Sequence, residues 1–333
     1  AISGVGFSPD FVWAKQRSQA IGHVLYDSVR GAGNDKELSS NGTTAEGGGN
    51  SDQYGYLSSF DSDGFTGVDG TGSPNYYFNE NSQTFVAWNW LAGTAFSNDA
   101  SATSVGTIDS EGQVNTTAGF GIVSYTGTGS NGTVAHGLGS VPKMIIFKVR
   151  NTTDNWTTYH AGIASDAETD GIFLNLTNAA QDQAVFFNDT APTSSVFSIS
   201  TNASVNGSSN TYIAYCFADV EGYSKVGSYT GNGNADGTFV YTGFRPAWLM
   251  VKRTNAAGGW HMFDNKRAFA GNEIDVRLEA DNSDAENTSG PPHMDFLSNG
   301  FKMRTSFDNM NASGSTYIYL AFAESPFKFA NAR

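Results

Sequence analysis

The chain has 333 residues, of which 39 are Gly, 13% are aromatic and only 15% are charged, and this mixture of turn formers and strand formers predicts a soluble, turn-rich, all-β protein. Its formal net charge of −14 repels nucleic acid and anionic membrane surfaces, which excludes both as partners. A single cysteine excludes an intrachain disulfide, and no apolar stretch reaches the roughly 20 residues that a membrane-spanning helix needs.

The first predicted element is the stretch 8–27, SPDFVWAKQRSQAIGHVLYD, and the chain contains two further copies of it. Shifting it by 133 positions gives 141–160, and shifting that copy by 104 positions gives 245–264, in both cases without a gap. Each copy has a proline before an apolar run and a lysine six positions after that proline (Lys15, Lys148, Lys252). A repeat of about 100 residues is a whole domain with its own core, much longer than the unit of a solenoid.

These copies predict three tandem β-sandwich modules with a jelly-roll-like or lectin-like fold. We define the first repeat as residues 1–92, the second repeat as residues 119–220 and the third repeat as residues 221–333. Residues 93–118, between the first two repeats, are small and polar and show little periodicity. We therefore predict that they form a linker.

Each repeat ends in a predicted strand that covers the core. The three closing segments share bulky apolar side chains at alternate positions, and they are 85–92, 212–219 and 317–324. This spacing is typical of a strand with one buried face, so Trp90, Phe217 and Phe322 are expected to be buried. Cys216 lies in the second of these strands and is expected to be a small core residue rather than a nucleophile.

The second and third repeats also begin with a shared pattern rich in Gly and Asn, at 121–139 and 225–243, which we interpret as a β-hairpin. The first repeat lacks the first arm of this hairpin, since Ala1 aligns with the second arm. We therefore expect the first repeat to lack its leading strand. The missing strand is expected to come from a segment ahead of Ala1 or from a neighbouring subunit.

The sharpest candidate for a ligand site is FDSDGFTGVDG, in which Asp61, Asp63 and Asp69 resemble a calcium loop. The third repeat has FLSNGF at the matching place, without an acid. A turn between two strands therefore explains the motif better than a metal site does. The five histidines show no metal-ligand spacing, and we find no catalytic constellation. We predict no metal, no cofactor and no catalytic residue.

Loops that differ between the repeats are the places where function is expected. In the first repeat such loops carry or border four tyrosines, Tyr54, Tyr56, Tyr76 and Tyr77. Exposed aromatic rings in Gly-rich loops suit sugar rings or partner surfaces, so we predict that these tyrosines face a receptor. The alternative, that a tyrosine packs beneath its own loop, is the more common arrangement for any one of them.

Several segments resemble a known family, and they are GFSPDFVWAKQRS, HVLYDSVRGAG, the YTGxG segments, FDNKR, DFLSNGFK and the ending AFAESPFKFANAR. They cover nearly the whole chain and are similar to a module family of marine bacteriophage virion proteins that is frequent in cyanophages. This resemblance implies a non-enzymatic virion component, such as a tail fibre, a tailspike or a capsid appendage. In that family a YTGNG strand precedes the GF-x-P segment, in agreement with the expectation of an incomplete first repeat.

The sequence as a whole predicts an appendage on the exterior of a virion that attaches through many weak contacts to a glycan or protein on the host surface. It is expected to form a homo-oligomer, such as a trimer, and to contact other virion subunits. One alternative is a purely structural capsid or tube component whose loops contact only those subunits. A second alternative is a polysaccharide depolymerase, which requires two carboxylates about 5–10 Å apart in a cleft.

Overall fold

The structure of the chain is a computed structural model, and it describes residues 1–72, 76–183, 185–268, 272–288 and 293–326. Residues 327–333, at the end of the third repeat, lie outside the described residues. The described residues fold mostly into strands, with helices of a single turn, so the predicted all-β class is confirmed.

The strands of the first repeat are β1 (Ile2–Ser3), β2 (Phe11–Gln16), β3 (Val24–Asp27), β4 (Tyr56–Asp61), β5 (Gly64–Val68) and β6 (Phe85–Trp90). They are followed by β7 (Thr94–Asn98) and β8 (Ser110–Asn115). The second repeat contains β9 (Phe120–Thr126), β10 (Gly132–Ala135), β11 (Met144–Val149), β12 (Thr157–His160), β13 (Asp170–Phe173), β14 (Gln181–Asp182), β15 (Val196–Ile199) and β16 (Thr211–Phe217).

The strands of the third repeat are β17 (Ser224–Thr230), β18 (Phe239–Tyr241), β19 (Pro246–Arg253), β20 (Trp260–Asp264), β21 (Glu273–Ile274), β22 (Leu278–Glu279), β23 (Met294–Leu297), β24 (Gly300–Met303) and β25 (Thr316–Ala323). The helices are α1 (Ser51–Tyr54), α2 (Ala100–Thr103), α3 (Ala203–Asn206) and α4 (Asp308–Asn311), with a 3-10 turn at Ala167–Thr169.

The strand pairing reproduces the repeat that the sequence contains. The strand after the proline lies between two antiparallel partners each time: β2 between β3 and β6, β11 between β12 and β16, and β19 between β20 and β25. The register is also shared: Phe11 pairs with Asp27 and Trp90, Met144 with His160 and Phe217, and Trp248 with Asp264 and Phe322. The gapless alignment is therefore confirmed for these strands.

One central core lies between the three repeats. Trp90, Phe217 and Phe322 are 6%, 4% and 8% exposed, as predicted, but they belong to one shared cluster rather than to three separate ones. The ring of Phe322 lies 5.8 Å from that of Trp90 and 6.1 Å from that of Phe217. Because the main sheet of each repeat is covered on both faces, β2 and β11 are buried along their whole length. This explains why their sequences are nearly continuous apolar runs.

A second layer of strands covers the outward face of each main sheet. The second layers are β1-β5-β4 in the first repeat, β10-β15 in the second and β18-β24-β23-β21 in the third. A separate apolar cluster fills the space between the layers in each repeat. The architecture is therefore β-sandwich-like, with the repeats packed around a common core.

Hydrogen bonds between the repeats form a closed ring. The residue fourteen positions after the proline contacts a backbone carbonyl of the neighbouring repeat each time: Trp156 Nε1 donates to Ser39 O (2.8 Å), Trp260 Nε1 to Phe173 O (2.9 Å), and His23 Nε2 lies 2.9 Å from Glu279 O. The second repeat thus contacts the first, the third contacts the second, and the first contacts the third. Each of the three repeats therefore contacts both of the others, and the ring is closed by the contact between the first and the third.

The lysines that follow the proline also support the ring. Lys148 Nζ donates to Thr43 O across the first joint at 3.0 Å, and Lys252 Nζ donates to Thr177 O across the second at 3.0 Å. Lys15 donates to backbone carbonyls of its own repeat. Burial lowers the pKa of each of the three lysines to about 8. Lys148 and Lys252 therefore satisfy carbonyls at two joints, and Lys15 satisfies carbonyls within the first repeat.

The residue eighteen positions after the proline makes a third set of bonds between the repeats. Tyr215 Oη donates to Asp27 Oδ2 (2.7 Å), Trp88 Nε1 donates to Asp264 Oδ2 (3.0 Å), and His160 Nε2 lies 3.1 Å from Tyr319 O. Arg30 and Arg267 pair with the two carboxylates, and each pair is buried. This position can be an aspartate or a histidine, because each of these side chains has a polar atom that can hydrogen-bond to the neighbouring repeat.

Residues 93–118, which the sequence predicts to be a linker, contain two strands of a sheet, so the prediction is wrong about their structure. Residues 94–98 and 110–115 are strands β7 and β8, which pair with each other, and β8 pairs with β9 in the main sheet of the second repeat. The residues of β8 that face inward are Ser110, Gly112 and Val114. Two of these side chains are too small to give the apolar alternation by which a strand is recognised.

The predicted hairpin at the start of the second and third repeats is also wrong. Strand β9 pairs with β16 in the main sheet, whereas β10 pairs with β15 in the second layer, and β17 and β18 are divided in the same way. The Gly-rich segment therefore crosses from one layer to the other. Thr128 N donates to Asn206 Oδ1 and Asn232 N donates to Asn311 Oδ1, so a fully buried asparagine holds each crossing.

Candidate functional site

The structure brings three of the four predicted tyrosines together. The ring of Tyr54, at the end of α1, lies 5.0 Å from that of Tyr76 and 5.7 Å from that of Tyr77. Tyr56 lies on β4 and packs against the core of the first repeat. All four side chains are half-buried. Tyr54, Tyr76 and Tyr77 form one patch on the first repeat, and Tyr56 is not part of it.

The hydroxyl of Tyr77 is already engaged within this patch. It donates to Gly49 O at 2.8 Å, and burial raises the pKa of Tyr77 to about 12. Its ring also packs against the apolar cluster of the first repeat. Part of the patch therefore anchors the Gly-rich loop, and contact with a receptor stays a prediction for the remaining exposed surface.

The three aspartates of the calcium-like motif have separate partners. Asp61 accepts from Ser59 and Thr66, Asp63 accepts from the backbone of Gly4 and Gly6, and Asp69 accepts from Asn79. The motif itself is the tight turn between β4 and β5, where Asp61 pairs with Gly64. Among the described residues, no group of three or more His, Cys, Asp or Glu side chains is placed to hold a metal ion.

The thiol of Cys216 and the side chains of His23 and His160 are buried, structural groups. Cys216 is buried in the core of the second repeat, and burial raises the pKa of its thiol well above the usual value. Burial lowers the pKa of His23 to about 3 and that of His160 to about 4, so both are neutral near pH 7. A reactive cysteine needs the thiolate, which this environment disfavours.

A groove of the described surface lies over β7, β8 and β9. Its volume is about 660 Å³, which is within the range of sites for small ligands. It is lined by carboxylates, hydroxyls and one guanidinium, which belong to Asp99, Asp109, Glu111, Ser97, Ser110, Ser124, Thr107, Thr126, Thr128, Thr211 and Arg150. Such a surface offers many hydrogen-bond acceptors and donors and few apolar side chains.

Local structure fixes one end of this groove. Asp99 is the N-cap of α2 and accepts from the backbone of Ser101 and Ala102, while Asp109 accepts from Ala100 N at 2.8 Å. The hydrogen bond from Ser101 holds the pKa of Asp99 below its usual value. Asp99 is therefore anionic near pH 7, and hydrogen bonds to the backbone of α2 fix both acids in position.

The other side of the groove is formed by Arg150, at the joint with the first repeat, and by Glu111. Arg150 pairs with Glu46, with its Nε 2.5 Å from Oε2. Glu111 is exposed on β8, opposite Ser97 and Ser124 in the neighbouring strands. The groove thus combines a fixed acidic wall with exposed hydroxyls.

Sequence reasoning missed this groove because its strands lie in the stretch predicted to be a linker. The signal that was available is chemical: acids and hydroxyls alternate with small residues in SEGQVN, and DASAT begins with an N-cap residue. The two strands that these residues flank or form have no counterpart in the first or third repeat among the described residues.

Comparison with known proteins gives a family and no relative of known function. A family model described as "Domain of unknown function (DUF7483)" matches residues 1–326. No curated protein and no solved structure matches the chain. In the described part of the chain, none of the helices is long and apolar enough to cross a membrane.

Proposed function

Because the chain belongs to the DUF7483 family, whose description gives no activity, we propose its function from its own geometry. We propose a non-enzymatic component of a bacteriophage appendage, of the tail-fibre or tailspike kind, that attaches to a glycan on the host surface. The family resemblance of the sequence supports the virion assignment. The groove over β7, β8 and β9 supports the attachment role.

We also infer that the three repeats are three β-sandwich modules closed into a ring. The shared strand register and the three kinds of bonds between the repeats support this division. A closed ring holds the surface loops in fixed positions. An attachment protein benefits from such a scaffold, since a fixed site loses less entropy when it binds.

The observation that carries the proposal is the place of the groove in the repeat. Strands β7 and β8 have no counterpart in the first or third repeat among the described residues. The stretch 97–111, which contains the end of β7 and the start of β8, supplies more than half of the residues that line the groove. An insertion that adds a polar surface to one of three otherwise similar units is typical of a binding site. Carboxylates and hydroxyls in a shallow groove suit the hydroxyl groups of a sugar.

We propose that each groove binds weakly and that attachment gains strength from several copies. In a homo-oligomer on the exterior of a virion, such as a trimer, three grooves face the same polysaccharide, so that each binding event raises the effective concentration for the next. The tyrosine patch of the first repeat is proposed as a second contact surface.

The experiment that tests this proposal is binding to an array of bacterial surface polysaccharides, followed by titration with any polysaccharide that binds. Glu111→Gln is expected to weaken binding about tenfold or more, because it replaces an exposed anionic acceptor of the groove. Glu273→Gln, at an exposed position of β21 outside the groove, is the matched control. Equal affinity of the two variants would contradict the role of the groove.

The same titration separates attachment from depolymerase activity. A glycosidase needs one protonated carboxylic acid, whereas hydrogen bonding keeps Asp99 ionised. We therefore expect no release of new reducing ends when the polysaccharide is incubated with the protein. Release of reducing ends that is lost in Asp109→Asn would contradict the non-enzymatic proposal.

A second candidate function is a capsid or tube component that contacts only other virion subunits. The observation that favours it is the outer edge of β6 in the first repeat, which no other strand covers within the described residues, since such an edge pairs readily with another chain. Localisation of the protein on the particle by electron microscopy distinguishes the two candidates. A tip position favours attachment, and a position between subunits favours the structural role.

A further inference from the structure

The outer edge of β6 differs from the equivalent edges of the other two repeats. Strand β16 is covered by β9, and β25 is covered by β17, in each case along seven paired residues. Within the described residues, β6 pairs only with β2. Its free edge therefore presents unpaired backbone donors and acceptors at the place where two homologous strands are covered.

Phe85 occupies the position at which the covering strand places a tyrosine. In the second repeat Tyr125 of β9 stacks on Tyr212 at 5.1 Å, and in the third repeat Tyr229 of β17 stacks on Tyr317 at 4.9 Å. The shared register makes Phe85 the equivalent of Tyr212 and Tyr317. Phe85 is half-buried, and its face toward the free edge lacks this stacking partner within the described residues.

Asn79 occupies the position of the asparagine that holds the crossing segment. Asn206 and Asn311 lie six residues before the stacked tyrosine, and Asn79 lies six residues before Phe85. The side chains of Asn206 and Asn311 are buried by the YTGxG segments that they bind. Asn79 is exposed instead, and it donates to Asp69 at 3.1 Å.

A groove of about 390 Å³ lies beside this edge, between the two layers of the first repeat. It is lined mostly by apolar side chains and by the N-terminal segment, and it includes Ile2, Val5, Phe65, Phe78, Phe85 and Asn89. The Oδ1 atom of Asn89 is buried there and lacks a hydrogen-bond partner among the described residues. A buried acceptor without a donor is costly, and it indicates that a donor is added when the groove is filled.

From these matches we propose that the first repeat is a strand acceptor. The occupant is an extended polypeptide from outside residues 1–333 that pairs antiparallel with β6, in the way β9 and β17 pair with β16 and β25. The residue pattern of this segment is the one that the two covering strands share, IVSYT in β9 and VGSYT in β17. It is an aliphatic residue, then one variable residue, then Ser-Tyr-Thr followed by glycine. This is β-augmentation with a defined side-chain pattern.

The register assigns a contact to each element of the pattern. The tyrosine stacks on Phe85, and its hydroxyl donates to the carbonyl of Phe78, which is the position of Val205 and Met310 in the other repeats. The aliphatic residue lies opposite Trp88, where Ile122 and Val226 lie opposite Tyr215 and Leu320. The segment after the glycine lies over Asn79, in the position that the YTGxG segments take over Asn206 and Asn311.

The N-terminal segment is already held in the second layer of the first repeat, beside the groove that the added strand would occupy. Ile2 and Ser3 pair with β5, and Asp63 accepts from Gly4 N at 3.0 Å and from Gly6 N at 2.6 Å. The second layer is therefore formed beside the groove, and the acceptor is preorganised. Preorganisation reduces the entropy that binding costs.

The test uses the full chain and a synthetic peptide with the sequence of residues 224–231, SKVGSYTG. We expect saturable 1:1 binding that changes the fluorescence of Trp88 and Trp90 and raises the melting temperature. Phe85→Ala is expected to weaken binding at least tenfold, and so is replacement of the peptide tyrosine by alanine. Tyr241→Ala, which changes an exposed aromatic side chain of the third repeat, is the control that leaves binding unchanged.

Two further measurements make the outcome decisive. A peptide with N-methyl groups at alternate backbone positions keeps its side chains but cannot form the strand ladder, so it is expected not to bind the wild-type protein. No saturable binding up to 1 mM, or equal binding of a scrambled peptide, overturns the proposal. A homodimer in sedimentation that the peptide cannot dissociate also overturns it, because a second copy then covers the edge. Glycan binding through the groove over β7, β8 and β9 is unaffected by either result.

Discussion

The first and third repeats have equivalent strands at their outer edges, β6 and β25, but only β25 is covered by a further strand within the described residues. In the third repeat β17 covers β25, Tyr229 stacks on Tyr317, and Asn311 holds the segment that follows. In the first repeat the edge of β6 is free in the described part of the chain, and Phe85 and Asn79 stand in the matching positions. Both repeats nevertheless contribute to the same ring. The edge strand is therefore not needed to close the ring.

The contrast separates two kinds of contact in one repeat. The residues that face the central core and the joints are present three times, because each repeat must contact two neighbours. The positions that hold the edge strand are also present three times, but within the described residues the strand itself is present only twice. A matching set of residues without its strand is best explained as a place for a strand from outside.

The largest effects are expected in the central core, where the first and third repeats are alike. Phe322→Ala and Trp90→Ala are each expected to cost about 3–5 kcal/mol, because each removes a buried aromatic ring and leaves a cavity. Urea denaturation followed by circular dichroism measures the free energy of unfolding. A cost below about 1 kcal/mol for Trp90→Ala alone would show that the first repeat is not held in the ring.

The second comparison is between Asn311 and Asn79. Asn311 is fully buried and donates to Asn232 Oδ1, Asn234 O and Thr305 O. Asn311→Ala leaves these groups unpaired and is expected to cost about 3 kcal/mol. Asn79→Ala is expected to cost less than about 0.5 kcal/mol, since the side chain is exposed. Similar costs in urea denaturation would contradict the idea that the edge of the first repeat is open.

The local pattern of the sequence was sufficient to predict the strands and the register of the repeat. The proline, the lysine and the apolar run lie within one strand and its neighbours, so their spacing is set by local geometry. The ring was not predictable, because one bond at each joint ends on a backbone carbonyl, that of Ser39, Phe173 or Glu279. A carbonyl is present in every residue and leaves no trace in the sequence.

The candidate site was predicted only in part. The tyrosines were found because aromatic side chains in a Gly-rich loop are conspicuous, and three of them do cluster. The groove was missed because Ser110 and Gly112 face inward in β8, so the strand lacks apolar alternation. The absence of a leading strand from the first repeat was expected from the alignment, but as the missing first arm of a hairpin beside the segment that begins at Ala1. Within the described residues the free edge lies on β6 instead, and its partner groups, Phe85 and Asn79, needed the strand register.

The third prediction concerns pH, because histidines lie at two joints. His23 accepts from Trp13 Nε1 and contacts Glu279 O, and His160 accepts from Gly162 N and contacts Tyr319 O. Burial lowers the pKa of these side chains to about 3 and about 4, against 6.5 in the unfolded chain, and the positive charge of Lys15 lowers that of His23 further.

The sign of the effect follows from proton binding. Between about pH 4 and pH 6.5 the unfolded chain binds protons that the folded chain does not, so stability falls as the pH falls. Each histidine is expected to lower the free energy of unfolding by about 2 kcal/mol between pH 7 and pH 5. Urea denaturation at both pH values measures this loss. In His160→Gln the loss of unfolding free energy between pH 7 and pH 5 should be smaller by the contribution of one histidine, about 2 kcal/mol. An unchanged loss would mean that His160 is not neutral in the folded protein.

The smallest effect is expected at Phe85, and it sharpens the comparison most. In the free protein the ring is half-buried and lacks its stacked tyrosine, so Phe85→Ala is expected to cost less than about 1 kcal/mol. Its counterpart Tyr317 stacks on Tyr229 and donates to Asp308 O, so Tyr317→Ala is expected to cost several times more. Addition of the peptide SKVGSYTG should raise the melting temperature of the wild type and leave that of Phe85→Ala nearly unchanged. If Phe85→Ala is as costly as Tyr317→Ala without the peptide, the ring is already packed, and the edge of β6 is not an empty strand position.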